Sequence, residues 1–478
     1  MRIAIVGGGI SGLATGEAVL RQAQARGRDV EVVVLEADAE VGGKVQSRLV
    51  NGFVVETGPH GFLDREPKVF ELADRLGLSS DLIRADESSA RRFLVRKGVL
   101  RALPTGPIEF LRSGILSLPG RLRVLTEPLA ARPPDREESV WDFAARRIGP
   151  EAANVLVDAM VTGIYGGDPK TLSLPSAFPR MHQLEAQHGS LFKAQFALAR
   201  AKKKARALLP PGETNGSSSG SSRPAIADRG SAPGVPTGTL CSFTGGLGSL
   251  TSTLAFRLSV RTRHPVERIE KTEQGFLLRG GSEPIEADRV FLAVPAFAAE
   301  KLVGPLAPAV AKTLGAVPYA PINVVVFGFR ADALERPLNG FGYLAPYGEG
   351  RLVLGSIWAS SVFPVHVPEG MVMFRSMVGG VRRPELSKMS DDDLRATVRA
   401  ELERFCGVPK EAEPVMQAVF RWPLGIPQYT LGHRERAEAA RRVTDEVPGL
   451  VVGGNGFFGV ALLDCIREAE TWAERLLT

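Results

Sequence analysis

The sequence predicts a mixed α/β (α+β) protein in which one parallel-stranded domain is assembled from separate segments of the chain. Three observations predict this fold class. RIAIVGGGISGLATGEAVLRQA, at the start, reads as strand, glycine turn and helix, and PGLVVGGNGFFGVALLDCIREAETWAERLL, at the end, repeats that pattern. Between 318 and 382, four strand-like stretches predict an antiparallel sheet. A chain of 478 residues is also long enough for two or three domains.

The composition is that of a globular protein, with 44% hydrophobic and 23% charged residues. The net charge of +6 would suit nucleic acid, an anionic membrane or an acidic small molecule. Because the basic residues are scattered and match no nucleic-acid motif, nucleic acid is not expected as a partner. Three distant cysteines (Cys241, Cys406 and Cys465) predict no metal site and a reducing compartment. No targeting segment precedes the first strand and no run reaches the ~18 apolar residues of a membrane span, so we expect a cytoplasmic protein that could still lie on a membrane.

The first glycine turn has the spacing of a Rossmann-like dinucleotide site. Gly7 permits the tight turn, Gly9 lets a pyrophosphate approach the backbone, and Gly12 lets helix and strand pack closely. Glu36 ends the second strand 24 residues after Gly12, near the position expected for a ribose-binding acid. The cofactor-binding candidates of this stretch are Gly7, Gly8, Gly9, Ile10, Ser11, Gly12, Glu36 and Ala37.

The residues after Glu36 decide which dinucleotide is expected. A plain NAD domain would continue with another strand and helix, but here a second glycine pair, Gly42 and Gly43, precedes a hairpin that ends in ETGPHG. This continuation resembles the FAD-binding half of the flavin amine oxidase superfamily. The resemblance implies non-covalent FAD, bound by Gly43, Lys44, Gly58, Pro59, His60 and Gly61. For His60 we expect the backbone to matter more than the ring.

Two later segments complete the FAD domain that the resemblance implies. Val266, in a predicted β-hairpin, would lie against the adenine, and the C-terminal glycine loop would contribute Asn455, Val460, Ala461 and Leu462. Cys465 is expected to be a small buried residue rather than a covalent flavin link. The FAD-binding domain is therefore predicted to consist of residues 1–87, 240–302 and 440–478.

The rest of the chain is predicted to form three further units. Residues 303–439, with part of 88–105, should form a substrate-binding antiparallel sheet. Residues 106–205 should form a mainly helical subdomain, either membrane-associated or an ordinary helical insert, because Leu, Ile and Arg alternate there on short helical stretches. Residues 206–239 are rich in Gly, Ser and Pro and predict a flexible low-complexity loop.

Five stretches resemble one branch of the superfamily, the oxygen-dependent protoporphyrinogen oxidases of haem and chlorophyll synthesis. They are 91–104, 162–174, 340–346, 360–364 and 420–433. The resemblance implies removal of six hydrogens from a reduced tetrapyrrole in three FAD turnovers, with molecular oxygen reduced to hydrogen peroxide each time. No residue is assigned as catalytic, because the flavin supplies the difficult chemistry.

The same resemblance implies the residues that meet the substrate. Arg92 would bind a propionate, the carbonyl of Gly163 would face a pyrrole N–H, and Leu344 and Phe363 would form pocket walls. The last of the five stretches, FRWPLGIPQYTLGH, is expected to be a stiff aromatic loop that closes the substrate sheet against the flavin. In it, Trp422 and Tyr429 would pack at that junction, and Trp422 is also predicted to contact the cofactor.

Several alternatives stay open at this point. Coproporphyrinogen III, with four propionates, would need the same fold and flavin and a more basic pocket. An amine oxidase or carotenoid desaturase would share the superfamily, although the aromatic cage and flavin-side Lys of an amine oxidase are not recognisable. A flavin-bearing binding protein without turnover is a third possibility. The sequence does not decide between a monomer and a homodimer.

Overall fold

The computed structural model describes residues 1–207 and 238–478, with side chains described for 1–200 and 238–478. The strands β1 to β20 are Arg2–Val6, Glu31–Leu35, Ser47–Val50, Phe53–Glu56, Phe62–Leu63, Leu82–Arg84, Arg92–Arg96, Val99–Ala102, Leu240–Phe243, Ser259–Arg261, Arg268–Lys271, Phe276–Arg279, Ile285–Ala287, Arg289–Leu292, Tyr319–Arg330, Gly342–Leu344, Val353–Trp358, Met371–Gly379, Met416–Pro427 and Leu450–Val452. The helices α1 to α17 are Ile10–Ala25, Pro67–Leu76, Pro107–Arg112, Leu118–Leu125, Val140–Ile148, Pro150–Ala152, Asp158–Tyr165, Leu174–Ala177, Pro179–His188, Leu191–Ala207, Gly248–Phe256, Ala296–Val303, Pro308–Gly315, Ala359–Val362, Asp391–Cys406, His433–Glu446 and Leu462–Leu477. The mixed α/β fold class that the sequence predicts is confirmed.

A five-stranded parallel sheet lies at the centre of the first domain, in the order β10-β2-β1-β14-β20. Its central strands are apolar on both faces, as strands covered on two sides must be. Helices α1, α2, α11 and α17 pack on one face. Helices α12, α13 and α16, with the β11–β13 sheet, pack on the other.

The packing divides the chain differently from the predicted domain limits at two places. Residues 303–317, predicted to belong to the substrate sheet, pack through Val310 and Leu314 against the parallel sheet instead. The predicted limit at 440 falls inside α16, whose Ala439 and Ala440 lie in the same core. The two helices, α13 and α16, pack their apolar faces against the parallel sheet, which the sequence alone did not show. Val266 precedes the predicted hairpin, since β11 begins at Arg268.

The second sheet has seven strands in the order β19-β15-β18-β17-β16-β7-β8. It is antiparallel, as predicted, except that β7 and β16 run parallel. The stretch FRWPLGIP, predicted as a loop, is the second part of strand β19 and pairs with β15 from Tyr319 to Val324. Its prolines are tolerated because β19 is an edge strand, where a missing N–H breaks no bond to an outer neighbour.

Helices α3 to α10 form the helical part of the chain. Within it, Arg147 is fully buried and pairs with the buried carboxylate of Glu127, which also accepts hydrogen bonds from Ser190 Oγ at 2.6 Å and Leu191 N at 2.9 Å. A short π-helical turn, Ala153–Val157, precedes α7. Among the described residues, no helix is long and apolar enough to cross a membrane. The predicted low-complexity loop 206–239 lies almost wholly outside the described residues.

Candidate active site

The glycine turn after β1 leaves the N-terminus of α1 open to an anion. Gly7 has φ +109°, and a Cβ on Gly12 would lie 2.0 Å from the carbonyl oxygen of Gly7. Gly9 caps α1 without any side-chain hydrogen bond to its free N–H groups. Since Ile10 and Ser11 begin the helix, several N–H groups and the positive end of the helix dipole lie at this turn.

Glu36 lies at the carboxyl end of β2, beside the same turn. One carboxylate oxygen accepts the N–H of Gly8 at 2.7 Å, and the other accepts the N–H of Asp38 at 2.8 Å. Ala37, between Glu36 and Asp38 in the sequence, is exposed. These bonds fix the carboxylate at the edge of the turn, where the sequence predicted a ribose-binding acid.

The second glycine pair contacts the first turn directly. The N–H of Gly42 donates to the carbonyl of Gly8 at 2.8 Å, and a Cβ on Gly43 would lie 3.5 Å from the Cα of Gly9. The following residue, Lys44, has its ammonium 5.3 Å from the centre of the Tyr319 ring. Burial lowers the pKa of Lys44 to about 8.

The ETGPHG segment is held by the second sheet. A Cβ on Gly58 would lie 1.9 Å from the carbonyl oxygen of Lys44, so the backbones meet there. The indole N–H of Trp422 donates to the carbonyl of Thr57 at 2.7 Å. Arg375, on β18, donates to the carbonyls of Glu56 (3.1 Å) and Gly58. The segment that follows the β3–β4 hairpin is therefore bound to the seven-stranded sheet.

His60 is buried in the same segment with two unused polar atoms. Neither of its ring nitrogens has a hydrogen-bond partner among the described residues, and the ring lies 5.4 Å from that of Phe363. Burial lowers the pKa of His60 well below its usual range, so the imidazole is neutral. Pro59 precedes it, and at Gly61 a Cβ would lie 2.7 Å from the carbonyl oxygen of Cys241. A buried polar ring without a partner indicates a place where a ligand completes the hydrogen bonding. We expected the backbone of His60 to matter more than its ring, but the free ring nitrogens favour a role for the ring as well.

The C-terminal glycine loop lies between β20 and α17. The carbonyl of Asn455 accepts a hydrogen bond from the hydroxyl of Tyr429 at 2.7 Å. Val460 and Ala461 are partly exposed and lead into α17, which begins at Leu462. Burial raises the pKa of the Cys465 thiol to about 11, which keeps it protonated, as expected of a small buried residue.

Three of the four predicted substrate residues lie at the junction of β7, β16 and α7. Arg92 is paired in register with Gly342, and its guanidinium lies 5.2 Å from the centre of the Phe341 ring. A Cβ on Gly163 would lie 2.9 Å from Cδ2 of Leu344, so these two residues are in direct contact. Burial lowers the pKa of Arg92 from its ordinary high value.

Phe363 has other neighbours. It is fully buried between the rings of His60 and His366. It exposes no surface to a cavity in this structure, so the structure groups it with the FAD-side segment rather than with Leu344.

Comparison with known proteins gives the family. The model of the flavin containing amine oxidoreductase family matches residues 10–477. The chain belongs to this family. Over 99% of its length it is 31% identical to protoporphyrinogen oxidase, chloroplastic, of Oryza sativa subsp. japonica, covering 87% of that protein. It is likewise 31% identical to coproporphyrinogen III oxidase of Propionibacterium freudenreichii subsp. freudenreichii, over 99% of this chain and 90% of that protein.

A solved structure shows the same fold. The crystal structure of a protein from Exiguobacterium sp. 255-15, provisionally named a protoporphyrinogen oxidase, superimposes with a TM-score of 0.79. That alignment covers 100% of this chain and 99% of the other at 24% identity.

This member of the amine oxidoreductase family is an FAD-dependent oxidoreductase, and its residues fit the cofactor. The uncapped start of α1 suits a diphosphate. The contact of Gly9 with Gly43 leaves no side chain between the two turns. The unpartnered nitrogens of His60 suit a polar edge of a flavin, and the partly exposed Val460 and Ala461 are accessible to it.

Sequence reasoning missed two contributors to the site. Arg375 appeared as an ordinary residue of a strand, yet it is buried and supports the segment before His60. Arg382 pairs with Asp158 and donates to Thr162 Oγ1 at 2.9 Å, one residue before Gly163. The signal available for Arg375 was a charged residue inside an apolar strand. No sequence signal pointed to Arg382, because its partners lie on a helix that is distant in the sequence.

Proposed function

We propose that this protein catalyses the oxygen-dependent six-electron oxidation of protoporphyrinogen IX to protoporphyrin IX with release of hydrogen peroxide, a step of haem synthesis. The observation that carries the proposal is the near-full-length likeness to the rice protoporphyrinogen oxidase. The contact of Gly163 with Leu344, beside the strand that carries Arg92, adds support from the geometry.

The chemistry is divided between cofactor and chain. Bound FAD supplies the redox chemistry, by accepting two electrons at a time and passing them to oxygen. The chain binds and orients the tetrapyrrole and keeps water away. No strong base is required of it at the site.

The contacts near Arg92 divide affinity from orientation. Apolar surface contributes about 25 cal/mol per Å² buried, so a large apolar ring gains most of its affinity from walls such as Leu344 and Phe341. A hydrogen bond between a guanidinium and a carboxylate adds roughly 1.5–3 kcal/mol and fixes the direction of the ring. Arg92 would therefore orient the substrate through a propionate, while the carbonyl of Gly163 would face a pyrrole N–H.

Coproporphyrinogen III is the second candidate substrate, because the Propionibacterium relative is as similar as the rice one. Its four propionates would require more cations than the two of protoporphyrinogen. The guanidinium of Arg382, near Gly163, is already paired with Asp158. Because Arg382 is already paired, it is not free to bind an additional propionate, which favours protoporphyrinogen IX over coproporphyrinogen III.

The test is porphyrin fluorescence in air, with the two porphyrinogens supplied separately and peroxide recorded. We expect a faster rise with protoporphyrinogen IX and about three peroxides per porphyrin, one for each two-electron turnover. A preference for coproporphyrinogen III would move the enzyme to the second candidate. No rise with either substrate, from protein that holds FAD, would overturn both.

A pair of neighbouring arginines tests the orientation of the substrate. Arg92→Ala should raise KM about 10- to 100-fold, the loss of one charge-assisted bond, without changing the FAD content. Arg91→Ala is the matched control, since Arg91 is exposed and lies over Phe93 instead. Equal effects of the two substitutions would remove Arg92 from the site.

We further propose that the protein binds peripherally to a membrane and, in a bacterium, does so on the cytoplasmic face. Support comes from a set of exposed large apolar side chains on α3, α4 and the turn after them. They are Ile108, Leu111, Leu118, Leu122, Leu125 and Leu129. Arg112 and Arg121 lie among them, and such an arrangement suits an anionic lipid surface.

Flotation with vesicles tests the membrane proposal. The protein should float with phosphatidylcholine–phosphatidylglycerol vesicles, and the double variant Leu118→Asp/Leu122→Asp should stay in the soluble fraction. Leu49→Asp, which changes a 77% exposed leucine on β3, is the control and should float. Flotation of the double variant at the wild-type level would exclude this surface.

A further inference from the structure

Tyr429 lies just beyond β19, in the core between the helical part of the chain and the FAD domain. It is 2% exposed. Its ring stacks on that of His433, with centroids 3.8 Å apart and an interplanar angle of 16°, and it is tilted against Tyr165 at 6.3 Å. The stacking fixes the direction of the ring, and so the position of its hydroxyl.

The hydroxyl of Tyr429 makes both of its hydrogen bonds to one loop. It donates to the carbonyl of Asn455 at 2.7 Å and accepts the N–H of Gly459 at 2.7 Å. The loop between those residues begins after Gly454 (φ +92°) and ends at Gly459 (φ +112°). Glycine at positive φ leaves a loop many alternative conformations, and two bonds to one rigid phenol select a single one.

We propose that Tyr429 is a positioning residue of the FAD site, which holds the 455–459 loop so that the backbone of residues 460–462 meets the cofactor. The proposal does not depend on which porphyrinogen is oxidised, because it concerns only the cofactor. Tyr429 does not itself touch FAD in this account; it acts through the loop.

The neighbouring residue extends the connection to the substrate side. The side-chain amide of Gln428 donates to the carbonyl of Tyr165 at 2.8 Å, at the end of α7. Gly163, which contacts Leu344, lies on the same helix. Residues 428 and 429 therefore connect the helix of the substrate site to the loop of the cofactor site.

Tyr165 provides a matched control for the hydroxyl of Tyr429. It is also buried, at 3% exposure, in the same aromatic cluster, and its hydroxyl donates to a backbone carbonyl, that of Ala177, at 3.0 Å. Ala177 lies on α8 of the helical part and not on the cofactor loop. Removing either hydroxyl leaves the ring in place, but only one removal frees the loop.

The experiment compares Tyr429→Phe with Tyr165→Phe. FAD is removed from each protein, and its affinity is measured by titrating the apoprotein and following the quenching of flavin fluorescence. Urea unfolding of the apoproteins is measured alongside. We expect Tyr429→Phe to bind FAD about tenfold more weakly, with a changed visible absorption spectrum. Tyr165→Phe should bind FAD within twofold of wild type even though it also loses stability.

Two results would overturn the proposal. One is wild-type FAD affinity and spectrum in Tyr429→Phe; the other is an equal loss of FAD affinity in both variants. If Tyr429→Phe does not fold, hydrogen exchange of the Gly459 amide in the wild-type apoprotein decides. Strong protection before FAD is added supports the positioning role, and free exchange contradicts it.

Discussion

Gly163→Ala tests the substrate site where two predicted residues meet. The new Cβ would lie 2.9 Å from Cδ2 and 3.0 Å from Cδ1 of Leu344, whereas carbon atoms in contact prefer about 3.5–4.0 Å. Since the obstructing atoms are the end of a flexible side chain, Leu344 must rotate away. An off-rotamer side chain costs about 0.5–1.5 kcal/mol, while alanine gains about 1 kcal/mol over glycine inside a helix. The free energy of unfolding should therefore change by less than about 1 kcal/mol.

Substrate use should change more than stability. A displaced Leu344 side chain would narrow the substrate pocket by about the size of one methyl group. A change of that size in an apolar pocket alters the free energy of transition-state binding by about 1–3 kcal/mol. We expect kcat/KM for protoporphyrinogen IX to fall at least about tenfold in steady-state fluorescence assays, with FAD content unchanged.

A double-mutant cycle provides the refutation. Leu344→Ala removes the obstructing atoms, so Gly163→Ala should cost less in that background, with a coupling of at least about 0.5 kcal/mol. Gly106→Ala is the control, because a Cβ there meets no atom within 4 Å. Strictly additive effects, or unchanged kinetics in Gly163→Ala, would show that this contact does not shape the substrate site.

Three further predictions concern the cofactor side. Gly12→Ala places a Cβ 2.0 Å from the carbonyl oxygen of Gly7, a backbone atom that cannot rotate away, so the purified protein should lack flavin absorbance, whereas Gly106→Ala should keep it. Burial raises the pKa of Glu56 from 4.5 to about 7, so the folded protein holds that proton more tightly and loses stability as pH rises from 4.5 through 7. Glu56→Gln should therefore stabilise more at pH 8 than at pH 5 in urea unfolding, and equal effects at both would contradict the shift. Arg375→Met leaves the carbonyl of Glu56 without its donor and should lower the free energy of unfolding by about 1–3 kcal/mol, which Arg375→Lys should partly restore.

The local parts of the cofactor site could be predicted from sequence. The spacing of Gly7, Gly9 and Gly12 reflects contacts within one strand, turn and helix, so the requirement for glycine is visible in a few residues. Glu36 follows for the same reason, because a strand end beside the first turn is fixed by the parallel pairing of β1 and β2.

Contacts between distant segments could not be predicted in this way. Arg375 donates to carbonyls 317 and 319 positions away, and no local pattern encodes such a pairing. The sequence predicts a loop for the proline-rich stretch around Trp422 because prolines disfavour strands, but its place at the sheet edge removes that penalty. The predicted positions of Arg92, Gly163 and Leu344 came from family resemblance, and the structure adds the contact between the last two.

The order β10-β2-β1-β14-β20 has a consequence for how the protein is made. β20 and the loop that Tyr429 holds are synthesised more than 400 residues after β1, the central strand of the nucleotide-binding sheet. Chains emerge at roughly 5–20 residues per second, so the N-terminal glycine turn waits at least about 20 seconds for its partners. FAD can stabilise the fold only once those partners are present, since a ligand stabilises the state that binds it. Without FAD, a chain synthesised through β20 and this loop would therefore still lack this last stabilisation.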